Sequence, residues 1–513
     1  MSENSDSSSG FAAQLPKNLI ANIANFVLSI IIGIFLVPYF IGTLGVAAYG
    51  LIPLATSITG YVTLLTDSLN VAVSRFLTVD LHQRNYEKAN KTFNTAFFGL
   101  SGIIVLLIPV IILLAFYAPK FFNVPIGQES EVVLLFLGVF SAFLIRSWSS
   151  NFTVSLFGYN RLDLMNLLNI ISTIIQVSLI VFLFNQFSPQ LRYIGVASLI
   201  SSIVFLLCAI VLSKRINPHL HIAARDFDRS RLRDLVHMGW WAVVNNIGSL
   251  LFLQIDLIIV NLIFGATATG EYAVVLVWAT LIRGIAGTLA GVISPMIMTY
   301  YAKDKINEII LVSKSAVKGL GLFLALPIGL ICGFAPELLT LWVGPQFAQL
   351  APLMWILTLP LVINLSVLPL FTINVAFNKV RIPGIVTLIM GIGNIALAVI
   401  LSLFTGWGYY GVAVAGAIVL TIKNTFFTPW YATKVMNISA SSFNKFMIVG
   451  VIVSLAVIGA AILCGKILTI SSLTMIVIAG GIISGAYLIA IWYTGLNQFE
   501  RDLITQYFPK TSK

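Results

Sequence analysis

Apolar runs long enough to cross a lipid bilayer recur along this chain from end to end. A helix needs about 20 predominantly apolar residues to span roughly 30 Å of hydrocarbon, and about fourteen runs of that kind are present. They lie approximately at residues 18–41, 47–69, 94–117, 132–157, 162–186, 193–213, 238–264, 271–299, 311–334, 347–375, 383–405, 409–432, 444–465 and 470–495. The sequence therefore predicts an all-α integral membrane protein of about 14 transmembrane helices.

Composition excludes the alternative of a water-soluble globular protein. Of the 513 residues, 59% are hydrophobic and only 9% are charged, whereas about a quarter of the residues in a typical soluble domain are charged. Residues 1–17 are polar and Ser-rich and lack the charged region and cleavage site of a signal peptide. We therefore expect the first apolar run to be a retained helix.

The positions of Lys and Arg predict the orientation and argue against a nucleic-acid partner. The formal net charge is +11, with 29 Lys and Arg. With the N-terminus in the cytoplasm, about 21 of these 29 fall in inside loops, about 3 in outside loops and about 5 within spans. Basic residues that face anionic lipid headgroups explain this bias. It predicts a protein of the cytoplasmic membrane with both termini in the cytoplasm.

No group of residues indicates a metal site or catalysis. Cys208, Cys332 and Cys464 lie inside apolar runs without the spacing of a metal site. His219 and His221 are close in sequence, but no Asp, Glu or Cys set accompanies them. We therefore expect no metal, no resident cofactor and no catalytic residue.

Two similar stretches reveal an internal repeat. Residues 39–51 read YFIGTLGVAAYGL, and residues 262–274 read LIFGATATGEYAV. Further matches follow in the same order, including Asn160 with Asn378 and YIGVAS at 193–198 with YYGVAV at 409–414. We interpret spans 1–6 and 7–12 as two copies of one six-helix unit, followed by spans 13 and 14.

The repeat predicts the domain organisation. Because each copy has an even number of spans, both copies enter the membrane from the same side, as parallel repeats of transporters do. Within the connector between the copies, Arg225, Arg229 and Arg233 recur at helical spacing, which predicts a short amphipathic helix on the inner membrane surface. The predicted segments are a cytoplasmic tail at 1–17, an N-terminal lobe at 18–213, the connector at 214–235, a C-terminal lobe at 236–432, helices 13 and 14 at 444–495, and a cytoplasmic tail at 496–513.

The two echoed stretches are predicted to be equivalent turns. FIGTLGVAAYG and IFGATATGEYA fall between spans 1 and 2 and between spans 7 and 8, on the outside of the membrane, where Gly permits a reversal. We expect these turns to approach each other when a cavity between the repeats faces inward and to separate when it faces outward.

Polar residues within the spans are the candidate substrate-binding residues, because a polar group in hydrocarbon needs a partner or a water-filled cavity. At about 100° per residue they form one stripe in the first span and another in the seventh, and cations stand in the fourth, eighth and twelfth. Close packing of helices is the alternative for the stripes, and a structural ion pair is the alternative for the charged residues. The candidates are Asn22, Asn25, Ser29, Arg146, Asn245, Ser249, Asp256, Arg283 and Lys423.

A cavity lined by these residues would be net cationic. Arg146, Arg283 and Lys423 would outnumber the single acid, Asp256. Guanidinium groups match phosphate oxygens bidentately, and this contact strengthens in a low-dielectric site. The residues therefore favour an anionic substrate.

The sequence resembles a known transporter family along essentially its whole length. The stretches NLIANIANFVLSIIIGIFLVPYFIGTLGVAAYGL, TDSLNVAVSRF and LQIDLIIVNLIFGATATGEYAVV resemble the polysaccharide transporter branch of the multidrug/oligosaccharidyl-lipid/polysaccharide exporter superfamily, which includes the Wzx-type O-antigen flippases. The resemblance implies V-shaped lobes around a central cavity that opens alternately to either face. Asp256 matches the acidic residue usual in the seventh span, and Asn22 and Asn25 match the polar face of the first.

The resemblance also implies a substrate and partners. The expected substrate is a polyprenyl-(di)phosphate-linked oligosaccharide, such as a repeat unit of O-antigen, capsule or exopolysaccharide. Membrane lipids and other polysaccharide assembly proteins are expected partners of a monomer. The driving force stays open among the sugar gradient, the membrane potential acting on an anionic headgroup, and a counter-ion, H⁺ or Na⁺, bound at Asp256. The span count also resembles that of lipid II flippases, but the first span lacks their basic residue.

Two alternatives stay open at this point. A cation-coupled multidrug exporter of the same superfamily would favour an acidic cavity, whereas these residues predict a basic one. A membrane polysaccharide polymerase or ligase would need an outside loop that carries catalytic Arg or His. The longest predicted outside loop, PKFFNVPIGQESEV, contains neither.

Overall fold

The computed structural model describes residues 3–83 and 85–496, together with 498 and 501. This part of the chain is helical and contains no β-strand. Twelve stretches within it are long and apolar enough to cross a membrane. The predicted all-α membrane fold is therefore confirmed, whereas nearly all of the tail predicted at 496–513 lies outside the described residues.

The helices pack into two compact units, the first at Met1–Ala273 and the second at Val274–Lys513. This boundary follows packing and falls inside the second sequence repeat. The domain limits derived from the repeat therefore stay a prediction.

The first unit is built from long helices. Seven lie wholly within it, and an eighth begins in it and ends in the second unit. A short 3₁₀ turn, Ala224–Asp226, interrupts the connector after the sixth helix. The helices are α1 (Glu3–Leu44), α2 (Val46–His82), α3 (Tyr86–Phe121), α4 (Glu129–Gly158), α5 (Leu162–Gln186), α6 (Leu191–Ile216), α7 (Arg229–Leu253) and α8 (Ile255–Ala302).

The second unit contains more interruptions. Its helices are α9 (Ile306–Gly333), α10 (Ala335–Val343), α11 (Ala351–Thr358), α12 (Leu361–Ser366), α13 (Leu368–Ala376), α14 (Arg381–Phe404), α15 (Tyr410–Ile422), α16 (Thr428–Met436), α17 (Asn444–Leu468) and α18 (Leu473–Ala490), with a 3₁₀ helix at Pro345–Leu350 and π-helical turns at Lys423–Phe427 and Ile491–Gly495. The tenth span is divided among α11, α12 and α13, and a proline lies at or beside each start. Proline lacks the backbone N–H that an uninterrupted helix would need there.

Two glycines in left-handed conformations reverse the chain at the predicted turns. Gly45 has φ 83° between α1 and α2, and Gly265 has φ 88° within α8. Gly265 divides α8 into two arms, residues 255–264 and 266–302, and the hydroxyl of Tyr272 at the start of the second arm donates to Asp256 Oδ2 in the first at 2.9 Å. The stretch Asn246–Ala302 therefore holds both the seventh and the eighth span.

Backbone conformation supports the internal repeat. Asn160 and Asn378, which the repeat pairs, both adopt the left-handed region, with φ 55° and φ 53°. The sequence match pairs Gly42 with Gly265, but by conformation the equivalent of Gly265 is Gly45. The repeat is thus visible at two of its turns, with a small shift in register.

The connector between α6 and α7 is extended, so the predicted separate amphipathic helix is wrong. Only the three-residue turn Ala224–Asp226 is helical, and Arg229 is already the first residue of α7. The helical spacing of the arginines did not predict this arrangement, because it depends on polar side chains of α3 that hydrogen-bond to the backbone of the connector.

Two buried asparagines, one turn apart on α3, hold the connector. Asn90 donates from Nδ2 to the carbonyl of His219 at 2.9 Å and accepts from the His221 N–H at 3.0 Å. Asn94 repeats the pattern, donating to the His221 carbonyl at 2.9 Å and accepting from the Ala223 N–H at 2.8 Å. Each amide therefore satisfies one donor and one acceptor of an extended backbone.

An ion pair between the half-buried Arg231 and the buried Asp80 fixes the start of α7 beside them. Arg231 Nη2 lies 2.7 Å from Asp80 Oδ2, which also accepts from the Thr92 hydroxyl at 2.8 Å. The guanidinium also stacks on Phe76, 4.3 Å from the ring centroid. We call Asp80, Asn90, Thr92, Asn94 and Arg231 the connector clamp, and the end of the spans where it lies the connector end. The opposite end, which carries Gly45 and Gly265, is the turn end.

Candidate functional site

Helix α1 exposes two opposite faces. The side chains of Ile23, Val27, Ile31 and Phe35 are 50%, 46%, 47% and 71% exposed. At about 100° per residue, this apolar face is centred about 180° from the predicted polar stripe. The stripe is open as well: Asn22 and Ser29 are exposed and Asn25 is half-buried.

Hydrocarbon suits only one of these faces. An exposed asparagine is costly in a lipid environment, so the polar face is suited to a water-filled space and the apolar face to lipid. Close helix packing is the alternative for the stripe, but a Cβ added at Gly33 would meet no described atom within 4 Å. The glycine of this stripe is therefore not a packing glycine.

The polar face of α1 continues onto α5. Asn25 Nδ2 donates to Asn166 Oδ1 at 3.3 Å. One turn further along α5, Asn169 Oδ1 accepts from Arg146 Nη1 on α4 at 3.0 Å. Residues three apart share a helix face, so α5 joins the stripe to the predicted arginine.

Arg146 is half-buried among neutral groups. Its Nη2 donates to the Ser172 hydroxyl at 2.7 Å, and the guanidinium stacks on Phe205 of α6, 4.3 Å from the ring centroid. Within the described residues, no carboxylate lies within 4.0 Å of it. The first unit therefore encloses a positive charge that is solvated by amide and hydroxyl oxygens and an aromatic ring. We call Asn25, Arg146, Asn166, Asn169 and Ser172 the Arg146 network.

The fifth-span members of this network were not among the predicted residues. Ser172 also donates to the Ser201 carbonyl at 3.1 Å, and Gln176 donates to the Ser198 hydroxyl at 3.0 Å. The signal was present in the sequence, because Asn166, Asn169, Ser172 and Gln176 recur every three or four residues along one apolar span.

The predicted stripe of the seventh span assumed one continuous helix, and that assumption is wrong. α7 ends at Leu253, and Gln254, with φ −121° and ψ −19°, separates it from α8. Ser249 is half-buried before this break. Asp256 lies after it, buried, and accepts the hydrogen bond of Tyr272. The side chain of Asn245 lies outside the described part of the chain.

The second arm of α8 carries the predicted Arg283. Arg283 is half-buried, and Thr280 and Gly287 on the same side of the helix are exposed. A Cβ added at Gly287 or Gly291 would meet no atom of the described residues within 4 Å. Among the described residues, these two glycines therefore mediate no close helix packing.

Lys423 is buried in the second unit, at the first residue of a π-helical turn. Its Nζ lies 5.0 Å from the ring centroid of Phe371. The next residue, Asn424, donates to Asn364 Oδ1 at 3.3 Å and accepts from the Thr428 hydroxyl at 3.1 Å. π-helical turns recur at functional sites, and this one places Lys423 next in sequence to the neutral polar cluster of Asn364, Asn424 and Thr428.

The structure thus sorts the predicted residues into separate places. It joins Asn25 and Arg146 in one network and puts Asn22 and Ser29 on the open face beside it. Asp256 lies elsewhere in the first unit. Arg283 and Lys423 belong to the second unit. Within the described residues, no cluster of three or more His, Cys, Asp or Glu side chains could hold a metal ion.

Sequence comparisons find relatives along the chain. The family model described as "Polysaccharide biosynthesis protein" matches residues 15–301. A membrane protein of Bacillus subtilis strain 168, EpsK, described as uncharacterized, is 33% identical over 498 residues, which cover 96% of this chain and 98% of the relative.

Solved transporter structures share the fold. An inward-facing multidrug resistance MATE family transporter of the MOP superfamily aligns with a TM-score of 0.61 at 14% identity, over 86% of this chain and 98% of the transporter. The lipid II flippase MurJ, in an inward closed conformation, aligns with a TM-score of 0.61 at 17% identity, over 94% of this chain and all of MurJ. At these identities the likeness shows the fold alone.

Proposed function

This chain belongs to the polysaccharide biosynthesis protein family, and from that premise we propose that it is a flippase for a polyprenyl-(di)phosphate-linked oligosaccharide. It moves a repeat unit of O-antigen, capsule or exopolysaccharide across the cytoplasmic membrane by alternating access, with both termini in the cytoplasm. The glycan headgroup crosses through water while the polyprenyl chain stays in lipid. The protein acts as a monomer, with other polysaccharide assembly proteins as partners.

The observation that carries this proposal is the open polar face of α1 connected to a half-buried arginine. Asn22 and Ser29 offer amide and hydroxyl groups to sugar hydroxyls. Through Asn166 and Asn169, the same face connects to the guanidinium of Arg146. A headgroup that combines sugars with a diphosphate needs both kinds of contact.

Electrostatics favour an anion beside this face. Since neutral groups surround Arg146, its charge is not cancelled locally by a carboxylate among the described residues. At an effective dielectric constant of about 20, a negative charge ~8 Å away is stabilised by about 2 kcal/mol, equivalent to roughly a thirtyfold change in affinity. A cationic drug would be disfavoured by a similar factor, which argues against multidrug export.

The remaining candidates have distinct proposed roles. Arg283 and Lys423 contribute further positive charge from the second unit, and Asn245 and Ser249 contribute polar groups from the seventh span. Asp256 binds the coupling ion, H⁺ or Na⁺, in exchange with its hydrogen bond from Tyr272. If Asp256→Asn flips substrate at the normal rate and with unchanged pH and sodium dependence, this role is excluded.

The test of function uses purified protein in proteoliposomes that contain a fluorescent polyprenyl-diphosphate-linked oligosaccharide. Dithionite quenching then reports its movement between leaflets. We expect Arg146→Gln to slow flipping at least tenfold and Arg146→Lys to retain part of the rate. The matched control is Arg161→Gln, which removes an arginine of the same unit that already has a carboxylate partner, Asp163, 3.0 Å away.

Two results would contradict the proposal. Wild-type rates in both Arg146 variants would assign this residue to packing. Export of an ethidium-type cation, without movement of the lipid-linked glycan, would favour the multidrug alternative.

A further inference from the structure

A pocket of about 350 Å³ lies in the second unit, between α16 and the start of α17. One wall comes from the π-helical turn and α16, and the other from the loop before α17 and its first residue. Aromatic rings, hydroxyl groups and an amide line it. The lining residues are Thr425, Phe426, Pro429, Trp430, Ala440, Ser441 and Asn444.

The pocket lies at the end of the second unit that is predicted to face the cytoplasm. Phe443, just before α17, packs in one buried cluster with Ile297 near the end of α8 and Ile309 in the first turn of α9. The turn between α16 and α17 is therefore close to the turn between α8 and α9. With the proposed orientation, both turns lie at the inner leaflet, at the depth of the lipid headgroups.

Three side chains along α16 become more polar toward this end. Phe426 and Trp430 line the pocket and are 69% and 46% exposed. One turn later, Lys434 Nζ lies 5.3 Å from the ring centroid of Trp430. An apolar ring, an amphipathic indole and an ammonium group match, in that order, the acyl chain, the interface and the phosphate of a phospholipid.

The positive charge beside the pocket is not cancelled by an acid in the described part of the chain. Neither Lys434 nor Lys445, which lies in the first turn of α17, has a carboxylate within 4.0 Å there. That first turn contains no acid, and α17 begins without a side-chain cap. Because the N-terminus of a helix also carries a partial positive charge, this corner of the pocket favours an anion.

One hydroxyl group of the pocket wall lacks a partner. Thr425 Oγ1 is buried and has no hydrogen-bond partner among the described residues. The nearby hydroxyls of Thr428 and Thr433 both donate within the protein, to Asn424 Oδ1 and to the carbonyl of Trp430. A buried hydroxyl without a partner is costly, and an oxygen atom of a ligand in the pocket would satisfy it.

From these observations we propose that the pocket binds an anionic phospholipid of the inner leaflet. Its phosphate lies at Lys434 and the start of α17, and an acyl chain follows Trp430 and Phe426 into the hydrocarbon. The exposed wall that carries Phe426 belongs to the same turn as the buried Lys423, so the lipid site is separate from that candidate substrate residue. This inference rests on the proposed orientation and is independent of the transported substrate.

Photocrosslinking tests which lipid occupies the pocket. The photoreactive amino acid p-benzoylphenylalanine replaces Phe426 in the full chain, which is reconstituted in nanodiscs that contain equal amounts of phosphatidylglycerol and phosphatidylcholine. Mass spectrometry of the irradiated protein counts the adducts of each lipid. We expect at least five phosphatidylglycerol adducts for every phosphatidylcholine adduct.

The matched control places the same amino acid at Ile389. This side chain is 61% exposed and stands eight residues from Arg381, as Phe426 stands eight residues from Lys434. Ile389 does not line the pocket. We therefore expect less than a twofold preference for phosphatidylglycerol there, and a preference equal to that at Phe426 would overturn the site.

Substitutions then separate the local charge from the net charge. Lys434→Gln with Lys445→Gln is expected to lower the preference at position 426 at least threefold. Lys303→Gln with Lys379→Gln removes the same charge from exposed positions at the same predicted end and is expected to leave it unchanged. An equal effect of both pairs would overturn the site.

A neutral substitution tests the pocket without a change of charge. Ala440→Trp fills the space beside Ser441 with a bulky ring and is expected to reduce the phosphatidylglycerol adducts at position 426 at least threefold. Undiminished adducts in this variant would show that the lipid lies outside the pocket and would overturn the proposal.

Two other ligands are also distinguished. Loss of the preference in the presence of millimolar inorganic phosphate would mean that the pocket takes a free anion. Replacement of the adducts by a polyprenyl-diphosphate lipid, when this lipid is added to the nanodiscs, would assign the pocket to the transported substrate. Either result would overturn the phospholipid site. None of these measurements requires flipping, so the proposed transport function is tested separately.

Discussion

The connector end and the turn end of the first unit are held together by different chemistry. At the connector end, the amides of Asn90 and Asn94 fasten extended backbone to α3, and the partly buried Asp80–Arg231 ion pair joins α2 to α7. At the turn end, Gly50 meets Gly270, and the exposed Asn123 bonds to Asn261. The connector end joins the first sequence repeat to the connector, and the turn end joins the first repeat to the second.

The two ends differ in the polar groups that would lose their partners if the contacts at each end separated. Pulling the connector end apart would strand a carboxylate, a guanidinium and several buried amides, and each unpaired group is costly. Separating the turn end would expose only neutral amides and glycine backbone. The connector end is therefore the costlier of the two to separate, and graded substitutions at the two ends test that contrast.

The largest effect is expected from breaking the clamp's ion pair. Asp80→Ala leaves the Arg231 guanidinium without its carboxylate, which typically costs about 3–5 kcal/mol for a buried pair. We expect a large drop in the midpoint of thermal unfolding, measured by fluorescence-detected size exclusion after heating. Glu87→Ala, which removes the partner of Lys91 in an exposed pair, is the control and should leave the midpoint unchanged. An equal drop of the midpoint in the two variants would show that the Asp80–Arg231 pair contributes no more stability than the exposed Lys91–Glu87 pair.

A smaller loss is expected at the connector itself. Asn94→Ala removes one hydrogen bond to the His221 carbonyl and one from the Ala223 N–H. Leaving buried polar groups unpaired costs about 1–3 kcal/mol. Hydrogen exchange followed by mass spectrometry should show faster exchange at residues 221–223 and unchanged exchange in α5. Unchanged protection of the connector would mean that other contacts hold it.

The sequence was sufficient for the fold but not for the clamp. Runs of about 20 apolar residues are a strong signal because a bilayer admits few alternatives to a helix. The extended connector was predicted as a helix because Arg225, Arg229 and Arg233 satisfy helical spacing. What overrides that spacing is tertiary: Asn90 and Asn94 come from a helix more than a hundred residues earlier and bind the connector backbone directly.

The candidate site shows the same limit. The stripe on α1 was predictable because Asn22, Asn25 and Ser29 lie on one helix, where angles follow from sequence alone. The surroundings of Arg146 were not, since its contacts Asn169 and Phe205 lie on two other helices. The seventh-span stripe fails at Gln254 for a related reason: a local break in the backbone leaves no mark in the hydropathy.

A modest effect is expected at the turn end. Asn123→Ala removes side-chain bonds from an exposed loop residue, and water can replace it as a donor to the carbonyls of Asn261 and Leu262. The net worth of a hydrogen bond is about 1 kcal/mol, so the unfolding midpoint should fall less than in Asn94→Ala. Each variant removes one side-chain amide, from an exposed loop residue in one case and from a buried helix residue in the other. A larger drop of the midpoint in Asn123→Ala than in Asn94→Ala would mean that the turn end, and not the connector end, is the costlier to separate.

The smallest effect, of opposite sign, is expected within the first echoed turn. Gly42 lies in the last turn of α1 with open space around it, so alanine there gains helix propensity, up to about 1 kcal/mol in a helix interior and less near a terminus. Gly50→Ala should lower the unfolding midpoint, because its methyl group meets the backbone of Gly270. The two glycines stand eight residues apart. If alanine raises the unfolding midpoint at Gly42 and lowers it at Gly50, the loss at Gly50 comes from the contact with the Gly270 backbone. A loss of stability in both variants would mean that the turn tolerates no added methyl group and that the contact with Gly270 is not distinctive.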